Sequence, residues 1–231
     1  MTHSPNILIT GASRGIGKAI HETLEARGAR VVGLSSKDGD LADPTVPSTL
    51  WAEALDRLDG RVDALINNAG IFEANPIEAG ESQWLDGWER TIEINLTATA
   101  QFCRHAVLHM QGTGGGRILN IASRAGHRGD SPAHWHYAAS KGGMLALTKT
   151  IARAYAAQGI YAFAIAPGFT MTGMAEDYLE SRGGDKLLAD IPLGRVAMPE
   201  EVAAMAAFCV LDAPPSMTGA TLDVNGASYV R

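Results

Sequence analysis

Six short runs rich in β-branched and apolar residues recur along the chain: Asn6 to Thr10, Arg30 to Leu34, Ala64 to Asn67, Arg117 to Ile121, Tyr161 to Ala166 and Thr221 to Val224. Longer stretches with helical spacing separate them. From Trp88, for example, an apolar stripe runs through Ile92, Leu96, Thr99, Cys103, Ala106 and Met110. Strands that are apolar almost throughout, alternating with helices, must be covered on both faces, which is the pattern of a parallel sheet. The expected fold class is therefore α/β, a doubly wound parallel sheet. One interval is too short for it. Only Ser35 to Gly39 separate the second strand from Asp40-Leu41, whereas a parallel crossover takes at least about 10 to 12 residues. The second crossover should be shortened, its helix missing or replaced by a loop.

The chain has 231 residues, 46% of them hydrophobic and 19% charged, with no linker, repeat or low-complexity tract. A single domain spanning 1–231 is expected. A net charge of −6 and a pI near 5.6 argue against nucleic acid or an anionic membrane as partner. No apolar run approaches the roughly 20 residues of a membrane helix. The opening MTHSPNILITG enters a strand at once without a basic, apolar leader, so the expected location is cytoplasmic. Cys103 and Cys209 lie in apolar helical stretches without C-x-x-C spacing and read as buried thiols in a reducing compartment.

Gly11, Gly15 and Gly17 follow the first strand and open a helix from Ile16 to about Ala26. Glycines at such a turn permit a tight bend and close backbone approach to a phosphate, and the helix N-terminus offers free N–H donors. The turn, with Ser13, Arg14 and Ile16, is the candidate pyrophosphate site. Ser35 falls 18 residues after Gly17, close to where an acid would hold the ribose 2′-hydroxyl of NAD. The sequence there reads Ser35, Ser36, Lys37. Hydroxyls with Lys37 and Arg14 nearby suit a 2′-phosphate, so NADP(H) is the expected cofactor. NAD(H) is the alternative, since a small backbone shift brings Asp38 or Asp40 to the ribose.

Tyr137 and Lys141 stand one helical turn apart in YAASK and project from one face. A phenol of pKa near 10 holds its proton too tightly for exchange at neutral pH. A cation about 5 Å away contributes roughly 3 kcal/mol at an effective dielectric of about 20, or about two pKa units, so Lys141 is expected to lower the Tyr137 pKa. Ser123 lies just past the C-terminal end of the fourth strand, the edge where open parallel sheets bind ligands. Asn95 lies on or beside a buried helix face. His134 and His136 flank Trp135 in an H-x-H spacing, but no carboxylate or thiolate near in sequence completes a shell, and no metal is expected. Arg124, His127 and Arg128 add positive charge after Ser123, compatible with a negatively charged substrate or with a solvated loop. Phe169 to Leu188 reads as a lid over the substrate.

Together TGASRGIG, NNAG (Asn67 to Gly70), Asn95 in EINL, Ser123, Tyr137 with Lys141 and Pro167-Gly168 resemble the short-chain dehydrogenase/reductase family, nearly end to end. The resemblance implies a Rossmann fold of about seven strands and catalytic residues at Asn95, Ser123, Tyr137 and Lys141. It implies cofactor contacts at Asn68, Ala69 and Gly70, an adenine site beside Asp40 and Leu41, and a nicotinamide site near Pro167, Gly168, Thr170 and Thr172. It also implies a homotetramer (or homodimer) built through the two long helices that carry Asn95 and Tyr137. Three positions depart from the pattern: Phe163 for an asparagine, Ala154 for an acid, and VNGA at Val224 to Ala227 for VDGG. The expected activity is NADP(H)-dependent interconversion of a small-molecule ketone or aldehyde with its alcohol, with 3-oxoacyl thioesters among the candidate substrates. In it Tyr137 is the acid/base, Ser123 holds the carbonyl oxygen, Lys141 grips the nicotinamide ribose and Asn95 holds a relay water. The alternatives are an NAD-dependent alcohol or sugar dehydrogenase and a non-catalytic dinucleotide sensor. An acid/base group has no use in the sensor.

Overall fold

The computed structural model describes residues 4–172 and 188–231. The strands β1 (Asn6–Thr10), β2 (Arg30–Leu34), β3 (Ala64–Asn67), β4 (Gly116–Ile121), β5 (Ile160–Pro167) and β6 (Thr221–Val224) form one sheet, ordered β2-β1-β3-β4-β5-β6. All neighbouring pairs are parallel. The helices are α1 (Gly15–Ala26), α2 (Val46–Arg57), α3 (Glu81–Ile92), α4 (Ala98–Thr113), α5 (Ala125–Arg128), α6 (Trp135–Tyr155) and α7 (Pro199–Ala207). Each apolar run of the sequence is a strand, β4 and β5 extending it by a residue at one or both ends. No helix among the described residues is long and apolar enough to cross a membrane.

Alternation along the strands builds two buried layers. Ile7 and Ile9 pack with Ile20, Leu24 and Val202 beneath α1 and α7, while Leu8 between them packs with Trp51, Leu65 and Phe102 beneath α2 and α4. The chain leaves β1 to one side for β2 and returns to its other side for β3. Strand order therefore reverses between β1 and β3. A crevice opens outside the strand ends at such a point, where open parallel sheets take their ligands. Cys103 and Cys209 are buried free thiols, and Phe163 is fully buried among Leu119, Ile121 and Ile165, so an apolar residue suits that position.

The strand count corrects one expectation: six strands are present among the described residues, not seven. Residues 35–45 contain neither helix nor strand. They pass through turns closed by Asp38 N to Ser35 O (3.0 Å) and Asp43 N to Asp40 O (3.1 Å), then enter α2. The shortened crossover has lost an outer strand along with its helix, and β2 is the edge of the sheet.

Between α3 and α4 the helix continues through a π turn, Glu93–Thr97. A π turn carries one extra residue, which turns a side chain off the regular helical stripe. Asn95 sits in it, fully buried.

After β6 the backbone turns through Gly226 (φ 63°) and Ala227 (φ 63°). Left-handed backbone suits glycine and costs an L-residue about 1–2 kcal/mol, so Ala227, in place of the second glycine of VDGG, carries local strain. Ala227→Gly should raise stability by about 1 kcal/mol, a melting temperature increase of roughly 2–4 °C for a chain of this size. Calorimetry showing an unchanged or lower midpoint would contradict that strain.

Candidate active site

The crevice at the β1/β3 switch point is organised by two side chains. The Thr10 hydroxyl accepts the backbone N–H of Asn68 and of Ala69 (both 3.1 Å), and Asn68 Nδ2 donates to Gly11 O (2.9 Å) and Thr10 O (3.2 Å). These bonds fasten the glycine turn to the loop after β3. A Cβ on Gly11 (φ 71°) would fall 2.7 Å from Ala69 Cα, and one on Gly17 would fall 2.0 Å from Gly11 O. Only glycine permits that approach. A Cβ on Gly15 would fall 2.9 Å from Thr172 Cγ2, which brings the segment after β5 against the same turn. α1 begins at Gly15 with no acidic residue in its first turn and no side chain capping it, so its N-terminal N–H groups are available to an anion. Ser13 and Arg14 are exposed beside it, and Ile16 packs onto the core below.

At the edge of the crevice, past β2, Ser35 does not present a free hydroxyl. Its backbone N–H (2.7 Å) and its hydroxyl (2.9 Å) both donate to Asp38 Oδ2. Ser36 and Lys37 are exposed, and Asp40 caps the next turn by accepting from Ala42 N (3.0 Å) while Leu41 packs onto the core.

The expected catalytic residues come together at the ends of β3 and β4. Lys141 is 4% exposed, and its Nζ donates to Ile121 O, the last residue of β4 (2.9 Å), and lies 3.5 Å from Met144 Sδ. The same Nζ is 5.8 Å from the centre of the Tyr137 ring. α5 carries the Ser123 turn against α6, where Gly126 lets it close: a Cβ there would lie 2.7 Å from Lys141 C. The Ser123 hydroxyl accepts Ala125 N (3.1 Å) and lies near enough to the Tyr137 phenol to lower its pKa.

The electrostatics reverse one expectation. Burial holds Lys141 down to about 8. Tyr137 keeps part of its surface open, yet the packed protein around the phenol pushes it up to about 12, desolvation outweighing the hydrogen bond from Ser123. The phenol is not softened by the lysine in this state. It is stored protonated.

Asn95 is spent on the backbone. Its Oδ1 accepts Ile71 N (2.8 Å), and its Nδ2 donates to Ile71 O (3.0 Å) and Ser140 Oγ (3.3 Å), which in turn donates to Tyr137 O (2.7 Å). Gly70 lies between the two polar groups: a Cβ on it would be 3.2 Å from Asn95 Oδ1 and 3.6 Å from Lys141 Nζ. Beyond β5, Gly168 lies against Asn225, and Thr170 is buried with its hydroxyl donating to Gly168 O (3.3 Å). Of the expected lid, residues 173–187 lie outside the described residues.

Sequence reasoning missed several members. Thr10 and Ser140 carry no signal of their own, although each lies inside a quoted motif. Phe72, two residues past NNAG, packs edge-on against Tyr137 (centroids 4.8 Å) and face-to-face on His134 (3.9 Å). His134 also pairs with Ser131 (2.7 Å), and its ring lies 6.3 Å from that of His136, which is buried. Among the described residues no group of three His, Cys, Asp or Glu is arranged to hold a metal.

The chain is similar to known proteins over nearly its whole length. A family described as Enoyl-(Acyl carrier protein) reductase matches residues 37–227. The 3-oxoacyl-[acyl-carrier-protein] reductase FabG of Salmonella typhimurium is 35% identical over 240 residues, covering 96% of both chains. The 3-oxoacyl-[acyl-carrier-protein] reductase of Synechocystis sp. is 36% identical, covering 95% of this chain and 94% of its own. The crystal structure of gox2181 superposes with a TM-score of 0.88 at 27% identity, over 98% of this chain and 96% of that one. With the crevice, the glycine turn and the Ser/Tyr/Lys group in place, the chain belongs to the short-chain dehydrogenase/reductase family of NAD(P)-dependent oxidoreductases acting on carbonyl and alcohol groups.

Proposed function

We propose that the chain is a carbonyl reductase in which Tyr137 is the general acid, acting on a small-molecule ketone or aldehyde. The observation that carries this reading is the convergence of the Tyr137 ring, the Ser123 turn and the buried Lys141 ammonium at the end of β4, with Lys141 Nζ 5.8 Å from the ring centre. Ser123 and Tyr137 form a pair of hydroxyl donors for one carbonyl oxygen, and the oxygen that becomes the alcohol takes the Tyr137 proton. The residues fit a nicotinamide dinucleotide: the first N–H groups of α1 are uncapped by any side chain, with no acidic residue in the first turn and Arg14 exposed beside them. That coenzyme supplies the hydride when bound. Asn68 to Gly70 and Pro167 to Thr172 would hold its nicotinamide half, and Lys141 its ribose. The gap beside Gly70, between Asn95 and Lys141, is the place for a water that returns protons to the lysine. The names of the relatives favour 3-oxoacyl thioesters as a substrate class. The reading further takes 1–231 as one domain, cytoplasmic, and a homotetramer (or homodimer) through α4 and α6.

For the coenzyme we infer NADP(H), from Ser35, Ser36, Lys37 and Arg14. One observation favours NAD(H) as a second reading: the Asp38 carboxylate already holds the Ser35 donors, where it would repel a 2′-phosphate or accept a ribose hydroxyl. Titration with both coenzymes decides between them. Tighter NADP(H) binding, strengthened several-fold in Asp38→Asn, supports the first reading, and tighter NAD(H) binding lost in the same variant supports the second.

Tyr137→Phe should lower kcat at least about a hundredfold and change coenzyme affinity only a few-fold. Near-wild-type turnover would overturn the mechanism. The pH profile follows from the two shifts. Lys141, lowered by burial, is charged below about 8, and Tyr137, raised by burial, stays protonated to about 12. Carbonyl reduction should therefore be level at neutral pH and decline as pH rises through about 8, with the lysine and not the tyrosine setting the decline. A profile level to pH 10 would refute that assignment.

A further inference from the structure

Arg124 stands directly after Ser123 and has no part in the chemistry above. Its backbone N–H donates to Pro167 O (3.0 Å), which fixes it between the Ser123 turn and the segment after β5. Its guanidinium lies over the Phe169 ring, 5.2 Å from the centre, with the side chain only 10% exposed. Arg124 Nη1 is 3.3 Å from Asp190 Oδ2, and Arg128 Nη1 is 3.0 Å from the same oxygen. Two cations thus share one carboxylate oxygen. Burial and the neighbouring Arg128 hold Arg124 below the usual arginine pKa, with Asp190 and Asp130 opposing them. This cluster of charges lies in the turn and short helix that follow Ser123.

We propose that Arg124, with Arg128 behind it, is a specificity-determining anion subsite that selects substrates bearing a carboxylate one methylene away from the reacting carbonyl, with Asp190 standing in for that carboxylate when no substrate is bound. The inference rests on the reductase reading and narrows its substrate class to oxo acids. A planar guanidinium offers paired donors that match a carboxylate in two-point contact. The Asp190 side chain is 50% exposed and meets Arg124 at a long 3.3 Å, so displacing it costs little, as for other exposed ion pairs. The Phe169 ring lies against the guanidinium and limits where it can move. A neutral ester or thioester of the same carbon skeleton offers the guanidinium no carboxylate and leaves Asp190 in place.

The test compares 3-oxobutanoate with its methyl ester as substrates, each with both coenzymes, in the wild type, Arg124→Gln, Arg124→Lys and Asp190→Asn. The ratio of kcat/KM for acid over ester is the readout, because a general loss of folding or coenzyme binding lowers both and leaves the ratio alone. The expected ratio is about tenfold or more in the wild type, falling toward one in Arg124→Gln, intermediate in Arg124→Lys, which keeps the charge without the fork, and higher in Asp190→Asn. A wild-type ratio near one, or a ratio that survives Arg124→Gln, overturns this assignment while leaving the reductase reading intact. Absence of turnover with every carbonyl overturns both.

Discussion

A buried ammonium with no carboxylate partner among the described residues is the constraint on which the site depends. Lys141 is held by one backbone carbonyl at the end of β4 and a thioether, so no described group of opposite charge compensates its loss of water. Its fall from 10.5 to about 8 corresponds to ~3 kcal/mol of desolvation. Such a group is tolerated because the sheet and α6 over-determine its position: Ile121 O is fixed by the β4–β5 ladder, and Gly126 allows α5 to press against the Lys141 backbone. A charge held there in dry surroundings acts strongly on whatever polar group enters beside it.

The second constraint is the reversal of strand order between β1 and β3. It puts the ends of β1, β3 and β4 beside one crevice, and each supplies a different part. The turn after β1 is open to a phosphate, the loop after β3 carries Asn68 to Gly70, and the turn after β4 carries Ser123. Thr10 and Asn68 lock the first two together with four hydrogen bonds. Asn95, in the π turn, ties the β3 loop to α6 through Ile71 and Ser140. Tyr137, its neighbouring cation and the glycine turn therefore share one hydrogen-bonded frame.

Much of that frame was legible in the sequence because it depends on local pattern. Apolar runs bounded by turn residues located all six strands to within a residue, and one helical turn between Tyr137 and Lys141 placed them on one face. What depends on through-space environment was not legible. The Tyr137 pKa moved upward because the Coulomb estimate used a surface-like dielectric, whereas burial penalises the phenolate and the ammonium alike. The loss of a seventh strand showed only as a five-residue interval whose consequence for sheet width requires three-dimensional closure. Ser35 looked like a free hydroxyl because sequence does not reveal that Asp38 folds back onto it, and the contacts of Asn95 with Ile71 and Ser140 follow no spacing rule. Thr10, Ser140 and Phe72 act only through neighbours distant in sequence or through backbone atoms, which no spacing rule records.

Asp38 and Asp190 share a physical logic at two separate ends of the crevice. Each is an exposed carboxylate resting on donors beside a position a ligand is expected to take: Ser35 N–H and hydroxyl in one case, Arg124 and Arg128 in the other. Donors left bare would cost desolvation in the empty state, and a firmly buried partner would exclude the ligand. A solvent-exposed carboxylate avoids both extremes, since an exposed pair contributes about 0–1 kcal/mol and yields to a better-placed anion or hydroxyl. Whether such a residue then competes with the ligand or joins it depends on the charge of the newcomer. A 2′-phosphate must expel Asp38, whereas a ribose hydroxyl can keep it as an acceptor. A substrate carboxylate must expel Asp190, whereas a neutral substrate leaves it where it is. Selectivity at both ends then reduces to one comparison, the affinity of a fixed donor pair for the external group against its affinity for the internal carboxylate.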